Sequence, residues 1–257
     1  MVAQEKLEDP QQTDVIIVEC SKIPPQHSFP YSNISFPQPG MLNKAKAINF
    51  AVSNLTTDLI TLLDVDTVVQ DQFFEEINTF FSIAENKDTR LGHRVRMVDK
   101  TYSEKVVRHG LTVFDNLVAP RPDRSPAALE DYKGIPTGNS HVTMLRANFI
   151  ALGGYDERFC GYGLEDMDFN CRAAKKYPLH ILPDNDTYHL WHPTRTPFWN
   201  DEAAEHQNRQ LFIQHEKEGW PDIEWQYAPK VVVTTCCKRS KHWQTAGEGF
   251  GNVYEGK

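Results

Sequence analysis

The feature that most constrains the fold is an alternation of residue periods near the N-terminus. Asp14 precedes VIIVEC, a β-branched run of the kind that fills a buried strand ending at Glu19. After Gly40 the pattern changes to MLNKAKAINFAVSNL, which places Leu42, Ala45, Ile48, Ala51 and Val52 on one face of an amphipathic helix. It changes back at LITLLDVDTVV, residues 59–69, a strand that stops at acids. Strand, helix and strand in succession predict parallel pairing and an α/β architecture, a mixed, mainly parallel sheet flanked by helices.

Size and charge narrow the possibilities. The 257 residues, 40% of them hydrophobic, suffice for one full core, so a single domain is expected. A net charge of −8 argues against a broad nucleic-acid footprint, which needs a basic face. No apolar run approaches the roughly 20 residues of a membrane span, and Met1 is followed by polar sequence, so a cytoplasmic chain is expected. Cys20, Cys160, Cys171, Cys236 and Cys237 lack zinc-type spacing and read as reduced thiols.

The remaining elements follow in order. Residues 1–13 read as a short helical lead, and residues 21–40, rich in proline, as an extended connection with an edge strand around Asn33 to Phe36. DQFFEEINTFFSIAE, residues 71–85, is an amphipathic helix with Phe73, Phe74, Ile77, Phe80 and Phe81 facing inward. Residues 86–133 suggest two short strands within RVRMVDKTYSEKVVRHGLTVF and then a proline-interrupted loop; the arginines of the whole stretch (Arg94, Arg96, Arg108, Arg121, Arg124) either face an acidic ligand or are solvated. A glycine turn at Gly138, a strand from Ser140 to Met144 and a helix from Ala147 come next. PLHILPDNDTYHLWH supplies two strands around a proline turn, and a helix is expected from about Asp201 to Glu218, closed by Gly219 and Pro221.

Three places carry residues suited to chemistry. Asp64-Val65-Asp66 falls where a strand should end, which in open α/β sheets is where ligands bind; the two acids either hold a divalent cation against a phosphate or form a solvated turn. His189 and His192 can converge on one cation if the backbone turns between them, whereas in a flat strand they diverge. An oxygen-rich site with imidazole suits Mn²⁺ or Mg²⁺. GGYDERFCGYGLEDMDFNCR, from Gly153 to Arg172, joins a glycine-aromatic-glycine turn to Glu165, Asp166 and Asp168 at a helix start. Such acids are either helix caps or the proton-accepting part of a sugar site. Trp199, Trp220 and Trp225 either stack on sugars or pack internally.

NKAKAIN, LLDVDTVV, TGNSHVTM, the Gly153–Arg172 stretch and HLWH occur in the order found in GT-A fold, nucleotide-sugar-dependent glycosyltransferases, and the set resembles the β-1,4-galactosyltransferase-like and bacterial family 2-type inverting enzymes. The resemblance implies a metal-dependent, inverting hexosyltransferase that moves a sugar from a nucleotide-sugar, UDP-sugar by preference, to a saccharide or other hydroxyl acceptor. It implies Asp66, His192 and His189 as metal ligands, Asp64 and Lys44 near the donor, Tyr162 and Glu165 on the sugars and Asp166 as catalytic base with Glu165 beside it. Glu19 and Gly138 join the donor side. VIIVEC corresponds to the second strand of that fold, and KVVVTTCCKRSKHW, residues 230–243, resembles the first strand and its loop, with Thr234 and Thr235 at the strand end and Arg239 as a donor-binding arginine. A circularly permuted order follows, with residues 244–257 a flexible tail; the alternative is that residues 230–257 start a second domain. Two other functions remain possible on residue content: a silent nucleotide-sugar- or glycan-binding module, and a nucleotidyltransferase, which would want a glycine-rich loop by its first strand.

Overall fold

A computed structural model describes residues 16–19, 32–35, 41–109, 130–133, 135–138, 140–161, 163–183, 185–193 and 201–227. The expected lead over residues 1–13, Tyr162, Trp199, and the 230–243 segment with Thr235 and Arg239 lie outside these residues, as does the 244–257 tail.

The chain opens with β1 (Ile16–Glu19) paired in parallel with β2 (Ser32–Ser35). Helix α1 (Lys44–Ser53) begins at Asn43, whose side chain accepts the Lys46 N–H at 2.7 Å as an N-cap. It is followed by β3 (Leu59–Leu62) and β4 (Thr67–Val69). The single run expected over 59–69 is thus two strands, because the three-residue turn at Asp64-Val65-Asp66 hands the chain from one sheet to another.

The larger sheet has the order β10-β5-β9-β3, with β5 (Arg90–Gly92), β9 (Val142–Leu145) and β10 (Leu179–His180). Period-2 alternation splits its side chains between two cores. Ile60, Val142 and Met144 meet α1, α4 (Arg146–Ala151) and α5 (Glu165–Ala174) through Ala45, Val52, Phe149, Phe169 and Ala173. Leu59 and Leu91 meet Phe73, Ile77 and Phe81 of α2 (Phe73–Ser82) on the other side.

The smaller sheet, β4-β11-β6, contains β6 (Val95–Met97) and β11 (Thr187–His189) and packs Val68 and Tyr188 against Val106. Val106 belongs to α3 (Lys100–His109), which replaces the second strand expected in this stretch. The local signal is a cap: Asp99 Oδ1 accepts the Tyr102 N–H at 3.1 Å, and Arg108 in the last turn carries the charge the helix dipole favours. Gly138 is the last residue of β8 (Ile135–Gly138), a strand rather than a turn, paired antiparallel with β7 (Glu130–Tyr132). The mixed α/β architecture is the expected one. Within it β1–β2, β5–β10 and β6–β11 are parallel, while β9 runs antiparallel to both its neighbours and brings the start of its strand beside the end of β3.

Helix α6 (Glu202–Lys217), capped by Asp201 and stopped at Gly219, packs Phe212 with Trp220, Phe159 and Cys171. Trp220 is buried there and Trp225 packs against Phe149, so both serve the interior. Cys160 and Cys171 are unpaired thiols, as expected of them.

The approach to α5 is fixed by a close backbone contact. Gly153 has φ +77°, and a Cβ there would lie 1.8 Å from the Ile223 carbonyl oxygen. Gly153→Ala is expected to cost about 3 kcal/mol or more, because left-handed strain and overpacking add; urea unfolding midpoints of the two proteins measure it.

Candidate functional site

The site is built where β3, β9 and β11 come together. Leu62 pairs with Val142, so Ser140 and His141, just before β9, face the turn that follows β3. Thr67 pairs with His189, and the Leu190 N–H donates to the Asp66 carbonyl at 2.8 Å, which sets the D-x-D turn against the end of β11.

Asp66 meets both histidines. Its Oδ1 lies 3.3 Å from His189 Nε2 and its Oδ2 3.2 Å from His192 Nε2, and the ligand atoms of the three side chains lie within 4.8 Å of one another. The chain leaves β11 after His189, so the divergence that a continued strand would impose does not arise. His189 Nδ1 is buried without a hydrogen bond. One carboxylate and two imidazoles at this spacing fit a divalent cation, and the nitrogen content suits Mn²⁺ better than Mg²⁺, which prefers oxygen.

Asp64 turns the other way. Lys44 Nζ lies 2.8 Å from its Oδ1, the Ser140 hydroxyl donates to its Oδ2 at 2.9 Å, and His141 Nε2 lies 3.3 Å from the same oxygen. Burial would raise this carboxyl, but the His141 hydrogen bond and the Lys44 charge outweigh it and hold Asp64 well below the usual carboxylate range. His141 is 1% exposed; its Nε2 also lies 3.2 Å from Thr67 Oγ1, and its Nδ1 2.9 Å from Thr187 Oγ1. Ser140 and His141 were not singled out by sequence reasoning; the available signal was a polar pair at the mouth of a strand expected to join the sheet.

Lys44 connects this half to the acid helix. Its Nζ lies 4.0 Å from Glu165 Oε1. Burial opposes its charge, yet Asp64 and Glu165 hold the ammonium above the ordinary lysine value. Glu165 is 8% exposed, and its Oε2 is buried without a hydrogen bond. Burial first and the neighbouring Asp166 charge second raise its pKa to about 7. Asp166 is half-buried, and its Oδ1 accepts the Met167 N–H at 2.7 Å.

The third acid of the motif faces inward. Asp168 Oδ2 accepts from Arg172 Nε at 2.9 Å and its Oδ1 lies 2.6 Å from His215 Nδ1, both partners fully buried. Arg172 donates to the carbonyls of Leu152 and Gly154 at 2.8 Å each, which fixes α5 against the glycine turn before it. Arg94 and Arg96 are engaged by buried Asp186. Glu19 and Gly138 end β1 and β8, described through their backbones.

Among the described residues no helix is long and apolar enough to cross a membrane. Comparison with known proteins agrees with the architecture. The chain is similar in fold to S. aureus TarS 1-349, at TM-score 0.53 and 13% identity over 87% of this chain and 61% of that one. A crystal structure of GalNAc-T7 with UDP, GalNAc and Mn²⁺ matches at TM-score 0.47 and 10% identity, over 72% of this chain and 36% of the other. The chain therefore spans less than two thirds of either structure. No curated protein matches it. The family model described as "Glycosyltransferase like family 2" matches residues 13–199, most of the chain. The chain is a GT-A fold member of that glycosyltransferase family.

Proposed function

We propose that this glycosyltransferase moves a sugar from a nucleoside diphosphate donor to a hydroxyl of a saccharide or other acceptor, depends on a divalent metal, and inverts the anomeric centre. The observation that carries the reading is the Lys44 bridge: it ties Asp64 of the D-x-D turn to Glu165 of the acid helix, which supports reading the Asp66-His189-His192 cluster and the carboxylate pair as parts of one site. Asp66, His189 and His192 would hold Mn²⁺, which when bound supplies Lewis-acid stabilisation of the charge left on the diphosphate. His141 and Lys44 keep Asp64 ionised, and the Ser140 hydroxyl helps hold it in place on the proposed donor side.

Asp166 takes the proton of the acceptor hydroxyl as its oxygen bonds to the anomeric carbon. The bond to the diphosphate breaks with its electron pair on the leaving oxygen, and attack from the opposite face inverts the centre. Glu165 binds a sugar beside it. A second assignment, Glu165 as the base, is favoured by its buried, unbonded Oε2 and its pKa near 7, which suits proton transfer at neutral pH. The donor side is completed in this proposal by Glu19, Gly138 and, from a permuted C-terminal strand, Thr235 and Arg239. UDP rests on the sequence resemblance alone.

A panel of nucleotide-sugars incubated with Mn²⁺, with Mg²⁺ or with a chelator tests the reading. Nucleoside diphosphate release that requires metal, fastest with Mn²⁺, together with a product of inverted anomeric configuration by NMR, is expected. Metal-independent release or a retained anomer would overturn it.

A further inference from the structure

Helix α6 lies beyond the family-matched residues, and its buried polar side chains all reach back to the motif that carries the acids. Asn208, 2% exposed, accepts the Cys160 N–H at 3.1 Å and donates to the carbonyls of Cys160 at 2.9 Å and Gly163 at 3.1 Å. These bonds fall on either side of position 162 in sequence. Two helical turns later, on the same face, His215 holds Asp168, two residues from Asp166.

The backbone between these anchors enters the left-handed region three times. Gly161, Gly163 and Leu164 have φ of +73°, +98° and +74°. For Leu164, which carries a Cβ, the left-handed region is unfavourable, and such strain persists only where the surroundings over-determine it. Apolar contact of Phe212 and Trp220 with Phe159, Cys171 and Leu164 already docks the helix. The amide of Asn208 adds what apolar packing lacks, a directional hold on the two carbonyls that shape the turn.

We infer that α6 is the positioning element for the acceptor side of the site and that Asn208 is the positioning residue through which it sets the backbone at Cys160–Gly161 and at Gly163–Leu164. The inference rests on the proposed function for which substrate the turn serves, and on geometry alone for the clamp itself. Asn208→Asp keeps size and the accepting oxygen but turns a carboxylate toward two carbonyls. Gly163→Ala perturbs the turn from within: its Cβ would meet nothing within 4 Å, so only the backbone preference changes.

Both variants are expected to lower kcat/KM for the acceptor about 10–100-fold, the scale of an ångström of misplacement, mainly through acceptor KM, while Mn²⁺-dependent donor hydrolysis stays within about twofold. Amide hydrogen exchange over residues 160–163 should accelerate while α5 and α6 keep their protection. Equal losses of hydrolysis and transfer, or unchanged exchange in both variants, would overturn the inference. If the wild-type protein neither hydrolyses nor transfers from any donor, the proposed function fails, and the exchange measurement alone decides for or against the clamp.

Discussion

Asp166→Asn is expected to lower kcat of transfer by 10²–10⁴-fold, the range for loss of a positioned general base, with little change in donor KM or in Mn²⁺ affinity. The amide keeps the volume and can still accept the Met167 N–H, so the helix start persists while the proton acceptor is lost. Glu165→Gln separates the two assignments of the base. Glu165 holds its proton below about pH 7 and loses it above. With Asp166 as base, the wild-type rate climbs through about pH 7, because a second ionised carboxylate beside Asp166 strengthens its pull on the proton. Glu165→Gln then loses that ascending limb while most of the plateau rate below it remains. If instead Glu165→Gln suffers the roughly 10²–10⁴-fold loss and Asp166→Asn keeps most of the rate, Glu165 is the base. Steady-state kinetics of both variants from pH 5 to 9 distinguish these outcomes.

The second large effect is expected at the metal cluster. Asp66→Ala removes the carboxylate that both imidazoles face and should reduce metal-dependent transfer about 10³-fold, comparable to loss of a principal electrostatic stabiliser of the leaving charge. Binding of Mn²⁺, followed by its electron paramagnetic resonance signal, should weaken in the same variant, which separates loss of the cation from loss of chemistry. Asp64→Asn should leave that signal nearly intact, since Asp64 is committed to Lys44, Ser140 and His141. Equal weakening by the two substitutions would show that both acids ligate the ion.

What the sequence made legible was whatever depends on local period. β1, α1, α2 and the helix beginning at Glu165 announce themselves through runs and faces, and the D-x-D and histidine positions through their place at strand ends. Sheet membership was not legible at residues 59–69, because a three-residue turn between β-branched stretches looks continuous until β11 is known to pair with β4. Helix α3 was obscured by Val106 and Val107, which favour strands in isolation, although Asp99 marks its start. The division of labour among Glu165, Asp166 and Asp168 required tertiary contacts, with one exception: Asp168 and Arg172 stand four apart, the spacing of an intrahelical ion pair. His141 left only the faint trace of a polar pair at a strand mouth, and Asn208 could not be found locally at all. The partners of both are tens of residues distant.

The D-x-D turn divides its two acids between the two sheets. Asp66 is bonded through its carbonyl to the strand that brings His189 and His192, whereas Asp64 stays with the lysine and serine of the larger layer. The spacing of Asp66, His189 and His192 is therefore set within one strand pair and its ends, so a cation bound there as proposed would keep its ligand spacing when the contacts around Asp64 are altered.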